Sequence, residues 1–290
     1  MTEPQAALEL ELPRRLFVCT PSKLAAWLDC PRRFRFSYVD RPPPPTGRPW
    51  AHNSVGAAVH VALAGWWGLP VGERVPAAAA ALLRERWAPQ GFRDADQADE
   101  WRERAADMVE RYTAGVDPHA EPLGVERTVA FKTDRVAVSG RIDRLDRRGD
   151  ELVVVDYKTG RHILTTDDAR GSLALALYAA AAERTMRRTC RTVELHHLPT
   201  GDIVRWEHTE QTLARQLGRA EEIATEAAAA IDAAATDGLD AAFPARPGAL
   251  CGWCDFLDSC PEGQAATPKR LQPWAGLASD ISSSVDDVVE

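Results

Sequence analysis

Apolar residues follow a helical spacing before Gly124 and a strand-like spacing after it, so the chain divides into an early helical part and a sheet-forming part. Thr20-Pro21-Ser22 offers a hydroxyl cap and a first-turn proline, which predicts a helix through Leu24, Trp27 and Leu28. Pro31 should bend or restart it. Pro42 to Pro45 predicts a stiff extended linker, after which Asn53 can cap a helix carrying Val55, Val59, His60 and Leu63. Two more helices, rich in Ala, Arg and Glu, are expected over roughly 76–88 and 96–114.

From Gly124 the pattern predicts strands at 125–131, 135–145 and 151–157. Leu152-Val153-Val154-Val155 is apolar on both faces, the mark of a central strand. A helix around 171–187 follows, then a hairpin of 193–198 and 203–208 turning at Thr200-Gly201-Asp202, then a long Ala-rich helix over about 210–236. There is no internal repeat and no Gly-x4-Gly-Lys-Ser/Thr phosphate loop, which disfavours a motor ATPase.

With 290 residues, 45% apolar and 27% charged, the chain can bury a large core without staples. Its net charge of -8 argues against indiscriminate adhesion to nucleic acid, but a ligand meets one face at a time. Between Arg14 and Arg48 eight basic residues face only Asp29 and Asp40, and this run, with Arg32, Arg33 and Arg35 beside Cys30, is assigned a phosphate-tracking role. Nothing near Met1 reads as a secretory signal, and the longest apolar run, Leu173 to Ala182, is too short to span a bilayer. A cytoplasmic protein without a membrane partner is expected. Six cysteines there are metal ligands, catalytic groups or buried apolar residues rather than disulfides, and Cys19 and Cys190 are assigned to the last kind.

Two carboxylates can converge where Gly140-Arg141-Ile142-Asp143 and Val155-Asp156-Tyr157-Lys158-Thr159-Gly160 end adjacent strands. Such a pair suits a hard divalent cation, leaving positions for water and a phosphate oxygen. Alternation puts Asp156 and Lys158 on one face, with the lysine able to orient water or offset developing negative charge. Each residue alone reads as an ordinary turn or surface group. Together they resemble the core of the PD-(D/E)xK nuclease superfamily, and the stretches around Asp143 and Asp156 resemble its RecB-like branch. That resemblance implies His60, in Gly56-Ala57-Ala58-Val59-His60, as a further ligand, so that His60, Asp143 and Asp156 hold Mg2+ or Mn2+ while Lys158 assists the water. It also implies Tyr178 in the site, although the glutamine that usually precedes this tyrosine by one turn is here Ala174. Glu126 matches an acidic position common in the branch and stays outside the assigned site.

Cys251-Gly252-Trp253-Cys254 and Cys260 lie close enough in sequence to share a metal, and a fourth ligand must come from elsewhere. Four thiolates suit structural zinc or an iron-sulfur cluster equally well on chemistry alone. Cys30-Pro31-Arg32-Arg33-Phe34 resembles the early half of a split site in AddB-like and CRISPR-associated iron-sulfur nucleases. By that resemblance Cys30, Cys251, Cys254 and Cys260 hold a 4Fe-4S cluster. Trp253 and Phe256 are candidates to stack on bases of a single strand.

The resemblance implies an α/β (α+β) fold, with a restriction-endonuclease-like mixed central sheet flanked by helices, a helical lobe, and an iron-sulfur clasp joining the two ends. The expected divisions are a flexible tail at 1–15, a helical part at 16–70, a helical lobe at 71–120, the nuclease core sheet at 121–210, a C-terminal helix and clasp at 211–270, and an acidic flexible tail at 271–290. The expected activity is DNA phosphodiester hydrolysis in repair or recombination, on single strands or ends. A catalytically weak DNA-binding subunit serving a helicase, and a zinc-clasped interaction module, are the competing readings.

Overall fold

A computed structural model describes residues 16–267 and 270–277, so the tail expected at 1–15 and most of the one at 271–290 lie outside the described residues. Six strands form one mixed sheet. In chain order the first elements are β1 (Phe17–Cys19), α1 (Pro21–Asp29), α2 (Pro31–Tyr38), α3 (Ala51–Trp67), α4 (Pro76–Glu85) and α5 (Ala95–Ala114). The sheet continues with β2 (Gly124–Lys132), β3 (Val136–Arg148) and β4 (Glu151–Lys158). After these come α6 (Thr166–Gly171), α7 (Leu173–Met186), β5 (Cys190–His197), β6 (Asp202–Glu207), α8 (Glu210–Asp237), α9 (Leu239–Ala242) and α10 (Pro261–Ala266).

Strand β4 shows why helices lie on both faces. Leu152 and Val154 join a core with Leu175, Ala176 and Ala179 of α7 and Ile223 of α8, while Val153, Val155 and Tyr157 point the other way into a core with α3, α4 and α5. The Thr20 hydroxyl accepts from the Lys23 N–H and starts α1, and Pro31 opens α2 as a separate helix. Helix α3 begins earlier than its sequence predicts. Ala51 donates its N–H to the Pro273 carbonyl, so Trp50 takes the cap position and Asn53 lies inside the helix. Ordered packing extends to Leu277, which is buried.

The strand that positions the site is β3, which changes partners along one edge. β1 runs parallel to Val136–Val138, and β4 pairs antiparallel with Arg144–Arg148. Between these stretches, Ser139 to Asp143 have no strand partner on that edge among the described residues. β2 pairs along the opposite edge for nearly the whole length. Among the described residues no helix is long and apolar enough to cross a membrane.

Candidate metal centre and cysteine clasp

The gap in β3 is where the acidic residues meet. Val125 pairs with Arg144 and Arg127 with Ile142, which sets Glu126 across from Asp143. Arg144 pairs with Val155, so Asp143 and Asp156 are the next residues out as β3 and β4 part. Three carboxylates therefore form one row across three strands. Carboxylates opposite one another repel, so such a row suits a cation. Glu126 lies in the left-handed region at φ 48°, a local kink inside β2. Asp143 Oδ2 accepts the Tyr157 N–H at 2.8 Å, taking the place of a strand partner.

His60 reaches this row from the third turn of α3. Its Nε2 lies 3.2 Å from the Tyr157 carbonyl, and because a carbonyl only accepts, Nε2 carries the hydrogen. Nδ1 is thereby turned toward the carboxylates, 3.4 Å from Asp143 Oδ1 and 3.9 Å from Glu126 Oε1. This is how a neutral imidazole is oriented to donate a lone pair to a metal. The donor atoms of His60, Glu126 and Asp143 all lie within 4.8 Å of one another. Asp156 is outside that limit for the full set, and its Oδ2 sits 2.7 Å from Lys158 Nζ in an ion pair that lacks good hydrogen-bond alignment. Gly56, one turn before His60, leaves room for the Thr159 hydroxyl 3.4 Å from where a Cβ would stand.

Charge at the site follows from this crowding. Burial works against a charged His60, but Asp143, Asp156 and Glu126 outweigh it and hold its pKa above the ordinary value. Burial raises the Asp156 pKa, opposed by Lys158 and reinforced by Asp143. Tyr178, on α7, is pushed up to about 12 by burial and by Asp156 and Asp143, so its hydroxyl stays protonated. Its ring packs on Gly140, where a Cβ would stand 2.4 Å from Cε1. Ala174 lies one turn earlier on the same helix, half-buried.

Sequence reading assigns His60, Asp143, Asp156, Lys158 and Tyr178 to the site and leaves Glu126 outside it, although Glu126 matches an acidic position common in the RecB-like branch. Its place in the row comes from its register opposite Asp143, visible once β2 and β3 are aligned.

Cys30, Cys251, Cys254 and Cys260 line one cavity between α1 and the C-terminal segment, all with free thiols. Three sulfurs accept backbone N–H groups: Cys30 from Arg246 at 3.3 Å, Cys251 from Gly248 and Cys260 from Gly263 at 3.4 Å. Among the described residues no set of cysteine sulfurs converges as closely as the His60 group, so no three of them lie within 4.8 Å of one another. Cys19 and Cys190 are buried in the sheet core.

The arginines of α2 have partners within the chain. Arg32 Nε donates to the Phe243 carbonyl at 3.0 Å, with Asp240 and Glu262 nearby, while Arg33 pairs with Asp29 and Arg35 with Asp40 and Asp240. Phe256 is 6% exposed against Phe36, which removes it as a base-stacking surface. Trp253 is 37% exposed.

Residues 18–261 match a family model described as the PD-(D/E)XK nuclease superfamily. No curated protein matches the sequence. A solved structure from Eubacterium rectale, described as a "Putative exonuclease", is similar at 10% identity with a TM-score of 0.50, covering 80% of this chain and 88% of its own. At that identity the likeness is one of fold.

Proposed function

Because this chain belongs to the PD-(D/E)XK nuclease superfamily, we propose that it is a metal-dependent deoxyribonuclease, an exonuclease acting on single strands or DNA ends in repair or recombination. The observation that carries this reading is the carboxylate row Glu126, Asp143 and Asp156 with His60 Nδ1 turned into it. Oxygen donors with one imidazole nitrogen fit Mg2+ or Mn2+, and His60, Glu126, Asp143 and Asp156 are the residues that would hold the ion. When bound, such a cation polarises a phosphodiester oxygen and makes water a better nucleophile. Lys158, beside Asp156, orients the attacking water and offsets negative charge growing on the phosphate. Tyr178 keeps its proton and can donate it in a hydrogen bond to a DNA oxygen.

The four cysteines form a structural clasp for a 4Fe-4S cluster. What supports this reading is that the four cysteines line one cavity and that backbone N–H groups donate to three of the sulfurs.

The test is an anaerobic preparation assayed on end-labelled single- and double-stranded DNA with Mg2+, Mn2+ or chelator, with its visible absorbance recorded. Metal-dependent cleavage that Asp156→Ala abolishes is expected. Binding without cleavage in either metal would instead favour a DNA-binding subunit, the reading that Ala174 motivates.

A further inference from the structure

Trp50, His52 and Trp253 form an aromatic cluster that neither the carboxylate row nor the clasp uses. The Trp50 and Trp253 ring centroids are 5.0 Å apart, and His52 stands edge-on to Trp253 at 5.7 Å. Trp50 Nε1 donates to Asp255 Oδ1 at 3.0 Å, which fixes that indole in place. More than a third of Trp253 remains exposed.

The cluster leads toward the metal centre. His52 also lines a cavity of about 290 Å³ with Asn53, Gly56, Lys158, Thr159 and Arg161. Lys158, which also lines it, is the residue paired with Asp156. Two cationic side chains line this cavity and no carboxylate does. In a chain of net charge -8, two cationic side chains in a cavity lined by His52 at the rings and by Lys158, the partner of Asp156, match a polyanion that carries flat aromatic groups.

We propose that Trp253, braced by Trp50 and His52, is a base-stacking platform for single-stranded DNA, whose backbone passes Arg161 and Lys158 on its way to the metal centre. A single strand offers free base faces, whereas in a duplex each face is already covered by its neighbours. The proposal rests on the nuclease reading for its choice of nucleic acid, and binding measured without divalent cations separates the two.

The experiment compares full-length wild type, Trp253→Ala and Trp253→Phe by fluorescence anisotropy with labelled oligo(dT) and with a duplex of equal length. Trp253→Ala should weaken oligo(dT) binding about tenfold or more while duplex binding changes less than about twofold, and Trp253→Phe should retain most of the affinity. Unchanged oligo(dT) affinity in Trp253→Ala overturns the platform. Should that variant fail to fold, wild-type protein is photo-crosslinked to an oligonucleotide containing 5-iododeoxyuridine. Crosslinks on the peptides bearing Trp50 or Trp253 support the proposal, and crosslinks confined to other peptides overturn it. Trp253-dependent binding with no cleavage in Mg2+ or Mn2+ would leave the platform standing and remove the nuclease reading.

Discussion

The carboxylate centre and the cysteine clasp are built in opposite ways. At the centre, sheet register presses like charges together: Glu126 faces Asp143, Asp156 lies next in the row, and His60 is locked by the Tyr157 carbonyl. That geometry stands ready at a cost in repulsion, which a cation would relieve. The clasp joins Cys30 to a loop-rich segment more than two hundred residues later, through sulfurs that do not converge tightly. The first grouping is set by sheet register, whereas the proposed clasp would tie together parts of the chain that are distant in sequence.

Removing a ligand should therefore have opposite consequences for stability in the two places. Cys30→Ser opens the long loop, and the chain-entropy formula puts that loss on the order of 5 kcal/mol. A domain of this size should then melt about 10 °C lower. Thermal unfolding of the purified variant checks this, and an unchanged melting temperature would mean that the thiols bear no load. Glu126→Gln at the centre should cut cleavage by at least roughly tenfold to a hundredfold, judged by what second-sphere losses alone cost a metal site. Yet without metal, at alkaline pH, it should raise stability by about 0.2–1 kcal/mol, because the repulsion from Asp143 is relieved while the ion pair lost with the exposed Arg141 is a weak one. Assays and melting curves on the same preparation decide whether the signs differ.

The same contrast shows what could be read from sequence. The helices and most strands were legible because their apolar periods are local, and Gly56-x3-His60 with Asp156-x-Lys158 marked most of the centre. Strand β1 was not foreseen, since three residues ahead of a helix cap carry too little pattern. Glu126 matches an acidic position of the resemblance, but its place among the carboxylates depends on cross-strand register and a left-handed kink, neither of which is written locally. The arginines of α2 read as a basic patch because Asp240, Glu262 and the Phe243 carbonyl lie some two hundred residues away in sequence. Asn53 has a good capping side chain, but the Pro273 carbonyl accepts from Ala51 and the helix starts three residues earlier, with Trp50 at the cap.

A smaller effect tests the gap in β3. Gly140→Ala places a methyl group 2.4 Å from the Tyr178 ring, and displacing a packed aromatic costs about 1–3 kcal/mol. Tyr178→Phe leaves the ring and removes only the hydroxyl. Gly140→Ala should therefore melt below wild type while Tyr178→Phe melts close to it. Equal melting temperatures for the two would show that the ring is not wedged against β3.

The finest distinction is one of pH. The neighbouring carboxylates raise the His60 pKa above its ordinary 6.5, so the stability from its charged form is present in acid and is lost as pH rises through that raised value. Asp156 shifts in the same direction. Both groups must be deprotonated to bind a metal, so protons and Mn2+ compete for them. The absolute melting temperature cannot isolate this, because His52, His196 and His208 have pKa values lowered by burial and oppose the trend as pH rises. They contribute equally with and without Mn2+, so the Mn2+-induced rise in melting temperature removes them. That increment should grow from about pH 5.5 to 8.5 in wild type and be smaller and flatter in His60→Gln. An increment independent of pH in wild type would place the Mn2+ away from His60, and an identical increment in Cys30→Ser would place it away from the clasp as well.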